Sequence, residues 1–340
     1  MNFNIHKSMF FMIMLLSSIF TITSNSWINM WLGMEINMMS FIPQMMKINN
    51  SLSSESMMKY FLIQAISSMN FMFFILFKTL NLKWFEFNNL YMFIMLILNL
   101  TILMKMGAAP FYQWFPKVMK GLSWMNCYLL STWQKIIPMI ILSYLMVYNI
   151  LIISIIMSAI IGSILGLNQN NLKMLMSYSS INHISWMISS LLINMNMWII
   201  YFIMYMYMNY ILMLLFNYIQ SFNIIQIYLM NMPISIKMMI FMNLLSLGGL
   251  PPLLGFLPKW MLINKMIIYN MNFIVFILIM CSLINLFYYL RISFSSFTMN
   301  NFKIKWNKYL FLYQMNYLNL LMFISIFMLL IITLIYQYIS

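Results

Sequence analysis

The fold of this chain is decided by L-G-G-L-P-P-L-L-G-F-L-P-K, residues Leu247–Lys259, and by K-M-G-A-A-P-F-Y-Q-W-F-P-K, residues Lys105–Lys117. In both stretches a Gly is followed by a Pro three residues later and by Pro-Lys six residues after that. Pro removes a backbone donor and Gly loosens a helix, and freed backbone is tolerated at membrane depth only inside protein or beside a wet cavity. The pattern predicts two broken membrane helices beside an ion path. The alternative is that they are packing kinks.

The rest of the chain has the composition of a membrane protein. Of its 340 residues, 64% are hydrophobic and 6% are charged, whereas soluble domains carry about 25% charged residues. Apolar runs of about 20 residues, enough to cross a bilayer, recur along its length. We expect an all-α polytopic membrane protein, a single membrane domain over residues 1–340. It should have eleven transmembrane helices, over residues 8–24, 27–46, 59–78, 89–120, 122–146, 149–166, 172–192, 196–219, 236–268, 272–296 and 313–337.

The two interrupted spans occupy matching places in an internal repeat. Each is the fourth span of a group of five, so the chain contains a first five-helix repeat over 8–146 and a second over 149–296. Residues 297–340 form a loop and a C-terminal helix in this prediction. Because five is odd, the second repeat has the opposite membrane orientation, as in the inverted repeats of many transporters.

The basic residues fix the expected orientation. The net charge is +14, but the cations are scattered at helix ends, which does not favour nucleic-acid binding. With eleven spans, eleven Lys or Arg residues fall on one side and three on the other. The N-terminus is therefore predicted on the positive side and the C-terminus opposite. Lys105, Lys135 and Lys259 remain inside the membrane.

These three lysines, together with Glu35, are the candidate functional residues. A charge at the bilayer centre costs about 2.5–3.5 kcal/mol on insertion scales, so such residues are rarely retained without a use. Burial disfavours the charged form of Lys and a nearby carboxylate favours it. A Glu35 that pairs with Lys105 or Lys135 at a changing distance would make the Lys take up and release protons. The alternatives are static ion pairs between helices and an interfacial Glu35.

Other polar residues are less specific. His183 lies in the middle of a predicted span, where a proton relay and a helix–helix hydrogen bond are equally compatible with the sequence. Lys173 is expected at a solvated or lipid-facing helix end, and Lys117 at the interface. Two Cys, two His and the absence of G-x-G-x-x-G leave no motif for an iron–sulfur cluster, a bis-His haem or a dinucleotide. We expect no metal or cofactor on this chain.

Residue usage indicates where the chain is made. Met occurs 45 times, whereas Ala occurs four times and Arg once. Abundant Ile, Asn, Phe, Tyr and Lys reflect AT-rich codons, and the Met excess fits a genetic code that reads AUA as Met. We therefore expect a mitochondrially encoded protein, which needs no import signal.

At several segments the chain resembles the antiporter-like, proton-pumping membrane subunits of respiratory complex I. The resemblance covers nearly the whole chain and is carried by Ser24–Trp27, Met34–Asn37, Lys105–Phe111, Thr132–Lys135, Ser179–His183 and above all Ser246–Trp260. It implies a multi-pass subunit of NADH:ubiquinone oxidoreductase in the mitochondrial inner membrane, with the N-terminus in the matrix and the C-terminus in the intermembrane space.

The resemblance also implies roles and partners. Glu35 would modulate Lys105, Lys135 would connect a buried polar axis, and Lys259 would lie near the exit. FMN, iron–sulfur clusters and ubiquinone would be bound by other subunits. Other complex I membrane subunits, accessory subunits and the lipid bilayer are the expected partners, with cardiolipin a candidate lipid and no nucleic acid. An independent cation/proton antiporter and a structural spacer with inert Lys–Glu pairs stay open as alternatives.

Overall fold

The computed structural model describes residues 2–47, 50–81, 88–229 and 234–298. The predicted last span, 313–337, lies outside the described residues. Within them every regular element is an α-helix, apart from one isolated β-bridge between Asn171 and Asn223, which confirms the all-α class. The helices are α1 Asn2–Thr23, α2 Trp27–Met45, α3 Ser51–Asn81, α4 Asn88–Met106, α5 Trp114–Gly121, α6 Trp124–Ser131, α7 Trp133–Tyr144, α8 Tyr148–Leu167, α9 Leu172–Ile193, α10 Met195–Ile219, α11 Ile224–Leu229, α12 Ile234–Gly248, α13 Phe256–Ile268 and α14 Asn272–Thr298.

Five of the described helices are long and apolar enough to cross a membrane. They contain the stretches His6–Thr23, Ser51–Thr79, Tyr148–Leu167, Met195–Ile219 and Asn272–Phe294. Two shorter apolar stretches, Met92–Met106 and Lys237–Gly248, end inside the two segments of Gly and Pro that predict broken helices. The number of eleven spans stays a prediction.

Capping side chains fix several helix starts. The Ser26 hydroxyl accepts a hydrogen bond from the Asn29 N–H and starts α2, because the first N–H groups of a helix lack partners within it. Asn171 caps α9 in the same manner. The Asn50 side chain accepts from the Leu52 N–H at 3.1 Å. α3 therefore begins at Ser51, earlier than residue 59, where the sequence analysis placed the start of the third span.

The predicted span 122–146 differs from the structure in one respect. Two helices, α6 and α7, occupy it and meet at Thr132. The Thr132 hydroxyl donates to the Tyr128 carbonyl at 2.7 Å, and Pro138, which has no N–H, lies inside α7. Both features weaken the regular ladder of backbone hydrogen bonds. Because α7 begins at Trp133, Gln134 and Lys135 lie in its first turn.

The described residues divide into two compact units, one up to Ser158 and one from Ala159 onward. In the first unit, α7 packs against α1, α4 and α6. In the second, α9 packs against α10, α13 and α14, and every residue from Leu175 to Leu191 is buried. Large Ile, Leu, Met and Phe side chains are exposed along the outer helices of each unit, which is the surface that a lipid environment requires.

Candidate functional site

The first broken segment ends α4 with a glycine in the left-handed region. Gly107 has a φ of +71°, a conformation that costs little only for Gly. Its N–H donates to the Met104 carbonyl at 3.2 Å, and the Ala108 N–H donates to the Leu103 carbonyl at 3.1 Å. This pair of bonds is a Schellman motif. The chain then returns to a helix at Trp114.

The second broken segment ends α12 with the same motif. Gly249 has a φ of +86° and donates to the Ser246 carbonyl at 3.0 Å, and the Leu250 N–H donates to the Leu245 carbonyl at 3.3 Å. The chain re-enters a helix at Phe256. The two segments of matching Gly-to-Pro spacing therefore end their helices with the same pair of hydrogen bonds.

The two breaks differ in which side chains donate to the carbonyls at the end of the helix. At the first, the Trp114 indole donates to the Met104 carbonyl and the Gln64 amide donates to the Lys105 carbonyl, both at 3.1 Å. At the second, the Lys259 ammonium donates to the Gly248 carbonyl at 2.9 Å and to the Leu247 carbonyl at 3.2 Å. A helix C-terminus carries partial negative charge and stabilises a cation. Lys259 thus has backbone carbonyls where a carboxylate would be expected.

Lys259 is also held from a second side. Its side chain is 6% exposed, and its Nζ lies 5.9 Å from the ring centroid of Trp186 on α9. An ammonium over an indole face is attracted by the ring quadrupole. The ammonium therefore lies among carbonyl and aromatic groups in the second unit.

In the first unit, Lys105 and Lys135 line the same cavity. It measures about 30 Å³ and is also lined by Gln64, Gln134 and Tyr60, among others. Lys105 is 9% exposed and Lys135 is 1% exposed. A polar cavity holds a water molecule once it offers about 10–15 Å³. There is therefore room for water between the elements that carry the two lysines.

Neutral polar side chains connect the walls of this cavity. The Gln134 amide donates to Asn37 Oδ1 at 2.9 Å, and the Tyr60 hydroxyl donates to Gln134 Oε1 at 3.3 Å. The buried Nδ2 of Asn37 has no hydrogen-bond partner among the described residues. Such an amide is costly unless water reaches it. The result is a chain of polar groups along the cavity that contains the two lysines.

Lys135 rests on an aromatic ring from the first break. Its Nζ lies 5.0 Å from the ring centroid of Phe115. A side chain added at Gly107 would meet the Cβ of Phe115 at 3.0 Å. The conformation of the first break and the position of Lys135 are therefore linked through Phe115.

Glu35 is half-buried on α2 and acts on Lys105 through space. Lys105 Nζ lies 3.4 Å from the sulfur of the adjacent Met34. One carboxylate oxygen of Glu35 is buried without a hydrogen-bond partner in the described structure. Among the described residues the ion pair found is Lys59 with Glu55. The expected Glu35–Lys105 contact is thus an electrostatic interaction at longer range.

His183 is buried on α9 and contacts two tyrosines of α10. Its Nδ1 forms a hydrogen bond with the Tyr201 hydroxyl at 2.8 Å, and its ring lies 4.9 Å from that of Tyr205. The contact is compatible with both hypotheses made for His183. Its role as a relay stays a prediction.

Two other lysines, Lys117 and Lys173, differ in their exposure. Lys117, which corresponds to Lys259 in the repeat, is exposed on α5, as an interfacial residue would be. Lys173 is 6% exposed and lies 4.7 Å from the ring centroid of Phe222. The expectation of a solvated or lipid-facing Lys173 was wrong, because the loop after α10 folds over the start of α9, where Leu172 N–H donates to the Phe222 carbonyl.

The sequence analysis missed the neutral members of the site. Gln64, Asn37, Tyr60 and Gln134 carry no charge, and an apolar span tolerates isolated amides and hydroxyls. Asn37 and Gln134 fall inside the conspicuous segments Met34–Asn37 and Thr132–Lys135, next to the ionisable residues. That adjacency was the available signal.

The sequence pattern of a protein family described as NADH:quinone oxidoreductase/Mrp antiporter, TM matches residues 24–285. The chain belongs to this family. The matched residues include both breaks and all four ionisable residues singled out above, so membership covers the complete candidate site. Relatives that match over most of their length support the same family assignment. The protein named NADH-ubiquinone oxidoreductase chain 2 of Anopheles gambiae is 46% identical over 309 residues, 89% of each chain. That of Aedes aegypti is 44% identical over 337 residues, 98% of each chain.

Solved structures share the fold of this antiporter-like family. A chain of respiratory complex I from Thermus thermophilus has a TM-score of 0.78 at 19% identity, covering 86% of this chain and 70% of that chain. A chain of an archaeal membrane-bound sulfane sulfur reductase has a TM-score of 0.82 at 16% identity, covering 97% and 73%. At such identities the likeness establishes the fold alone.

Proposed function

We propose that this chain is a core membrane subunit of respiratory complex I and translocates protons across the mitochondrial inner membrane. Family membership and the names of its full-length relatives support the assignment to the complex. One observation supports the proton-translocating role. Lys105 and Lys135 are both buried and line the same cavity, together with Tyr60 and Gln134. Buried cations within a membrane are costly, and a membrane protein keeps them where ions move.

The cavity supplies a route between the two lysines. An ammonium can donate a proton to a water molecule or to another amine, provided that the acceptor is within hydrogen-bond reach. Water in the cavity would accept from Lys105 and donate toward Lys135. The amide groups of Gln134 and Asn37 would orient that water, because each offers both donors and acceptors.

Glu35 would set the direction of this transfer. A carboxylate near Lys105 stabilises the ammonium, and its withdrawal favours the neutral amine. The structure has Glu35 at longer range, with one buried oxygen that lacks a partner among the described residues. Electron transfer on other subunits would drive the change in their separation, and this chain would respond by taking up or releasing a proton.

Lys259 would hold the proton before its release. The carbonyls of Leu247 and Gly248 stabilise the ammonium through a helix terminus. A small change at this break would alter both hydrogen bonds together. In this proposal the proton passes from Lys135 to Lys259, with loading from the matrix and release to the intermembrane space.

The wider arrangement belongs to the same proposal. The chain would have eleven spans, two of them discontinuous, in an inverted five-helix repeat, with its N-terminus in the matrix. FMN, iron–sulfur clusters and the ubiquinone site would lie on other subunits. Other membrane and accessory subunits, and anionic lipids such as cardiolipin, would be its partners.

The test compares Lys105→Met with Lys117→Met in the intact complex. Lys117 is the matched control, because it belongs to the same quoted segment but is exposed. We expect Lys105→Met to lower NADH oxidation and proton translocation in sealed inner-membrane vesicles, and Lys117→Met to leave both near the wild-type level. Normal rate and normal protons per electron in Lys105→Met would contradict the proposed path.

Membership in the complex is tested separately. On a native gel of gently solubilised mitochondrial membranes, peptides of this chain should be found in the band that oxidises NADH. Their presence only in a smaller, inactive species, together with sodium-dependent proton exchange by the purified chain, would favour an independent antiporter.

A further inference from the structure

A methionine sulfur lies where a charged partner of Lys105 would be expected. Lys105 Nζ donates to Met34 Sδ at 3.4 Å, and this sulfur is the hydrogen-bond acceptor found for the ammonium among the described residues. Both side chains line the cavity that is shared with Lys135, and Met34 is 5% exposed. The contact therefore lies at the Lys105 end of the proposed proton path, which gives Met34 no role.

Helix α2 gives Met34 and Glu35 different surroundings. Neighbouring residues of an α-helix point about 100° apart, whereas residues three or four positions apart share a face. Met34, Asn37 and Met38 accordingly line the cavity together, and the half-buried Glu35 is not part of that lining. Contact with the sulfur keeps the Lys105 ammonium at the cavity. Contact with the carboxylate would turn the ammonium away from it.

A thioether suits this position because it can hold an ammonium without taking its proton. The sulfur of Met is a weak hydrogen-bond acceptor, and it has almost no affinity for a proton in water. A carboxylate forms a shorter and stronger hydrogen bond with an ammonium, and it favours the charged form. The stem of Lys is flexible, which allows Lys105 to exchange one partner for the other. In the structure the partner is the sulfur of Met34.

We propose that Met34 is a positioning residue, whose thioether holds the Lys105 ammonium at the cavity while Glu35 is apart from it. The inference rests on the proposed function and adds a neutral resting place for the ammonium. Without the sulfur, the ammonium pairs with Glu35, and proton release into the cavity slows. A hydrogen bond from a charged donor to a weak acceptor changes the population of the bound ammonium by about two- to tenfold.

The test measures the rate of NADH-driven proton uptake by the intact complex in proteoliposomes, for Met34→Leu and Met34→Gln. Leu keeps the apolar bulk but has no acceptor, so we expect uptake to fall by about two- to tenfold. Gln supplies an amide oxygen as a neutral acceptor, so this variant should return uptake to within about twofold of wild type. A packing role predicts the opposite order, because Leu fits an apolar wall better than Gln does.

Met38→Leu is the matched control. Met38 is also 5% exposed, lies one turn further along α2 and lines the same cavity, so this variant should keep the wild-type rate. The double variant Met34→Leu/Glu35→Gln should be no slower than Glu35→Gln alone, because the competing carboxylate is gone.

Three results would overturn the positioning role of Met34. They are a wild-type rate in Met34→Leu, an equal loss in Met34→Leu and Met38→Leu, and a Met34→Gln variant no faster than Met34→Leu. A double variant slower than Glu35→Gln would overturn it as well. Failure of the proton path itself is distinguishable, because that path fails when Lys105→Met pumps normally, whatever the Met34 variants do.

Discussion

Replacement of Gly249 by Ala tests whether the second helix break controls the Lys259 ammonium. The new Cβ would lie 2.9 Å from Lys259 Nζ and 3.0 Å from its Cδ. Gly249 also has a φ of +86°. The substitution therefore strains the backbone and pushes the ammonium away from its carbonyl partners at the same time.

The size of the effect follows from these two contributions. The left-handed conformation costs a non-glycine residue about 1–2 kcal/mol. Loss of one of the two charge-assisted hydrogen bonds of Lys259 costs about 1.5–3 kcal/mol. The second contribution alone lowers the population of the carbonyl-bound ammonium by about 10- to 150-fold. The strain and the lost bond together destabilise the break by about 2.5–5 kcal/mol.

Gly248→Ala is the matched control one residue away. Gly248 lies in the last turn of α12, outside the left-handed region, and its added Cβ would make an ordinary contact of 3.4 Å with Leu286. Ala is favoured over Gly within a helix by about 1 kcal/mol. This variant should therefore keep the break and the position of Lys259.

The assay is proton uptake per NADH oxidised, measured on the intact complex in proteoliposomes. We expect Gly249→Ala to lower the ratio and Gly248→Ala to leave it at the wild-type value. Equal ratios in wild type and both variants would refute the argument that the carbonyls of this break control the Lys259 ammonium. Equal impairment of both variants would refute it as well, because only the Cβ added at Gly249 would meet the ammonium.

Three further substitutions test other parts of the structure. Glu35→Gln keeps the side-chain size and removes the charge that acts on Lys105, so NADH oxidation and proton uptake should fall together; unchanged values would contradict its role. Gln134→Leu removes the hydrogen bonds that join the cavity walls, and each buried polar group left without a partner costs about 1–3 kcal/mol. Proton uptake should slow in that variant while the complex still assembles on a native gel, and normal uptake would argue against an ordering role for the amide. In Gly162→Ala the new Cβ would lie 2.7 Å from the Asn182 backbone nitrogen, and such overpacking costs about 1–3 kcal/mol. The midpoint temperature of thermal unfolding of the complex should drop. An unchanged midpoint would contradict the close packing of α8 against α9 at Gly162.

Much of the fold and part of the site could be predicted from the sequence. Apolar runs and scarce charges indicated an all-helical membrane protein, because backbone groups in lipid must bond within their own segment. The Gly and Pro spacing indicated interruptions at Gly107 and Gly249, because few other residues tolerate these conformations. The structure buries Lys105, Lys135 and Lys259, as their apolar surroundings suggested. Their roles in proton transfer stay predictions.

Other features depended on distances that no local pattern encodes. Lys117 and Lys259 occupy the same position in the quoted segments, yet Lys117 is exposed and Lys259 binds two carbonyls. At the first break Gln64 from α3 donates to the Lys105 carbonyl, which is the equivalent of the Leu247 carbonyl, and Trp114 donates to the Met104 carbonyl one residue earlier. Which side chain reaches a free carbonyl depends on the packing of neighbouring helices, so the repeat in sequence did not reveal this difference.

The sequence by itself determined the class of protein, the two breaks and the charged residues that a membrane would enclose, because hydrophobicity and backbone restrictions act locally along the chain. Only the tertiary structure decided that Lys105 and Lys135 share a cavity with Gln134 and Tyr60, and that Glu35 acts on Lys105 without an ion pair. Contacts between residues far apart in the chain are fixed by how the helices pack, and there a difference of a few ångströms separates an ion pair from an interaction through space.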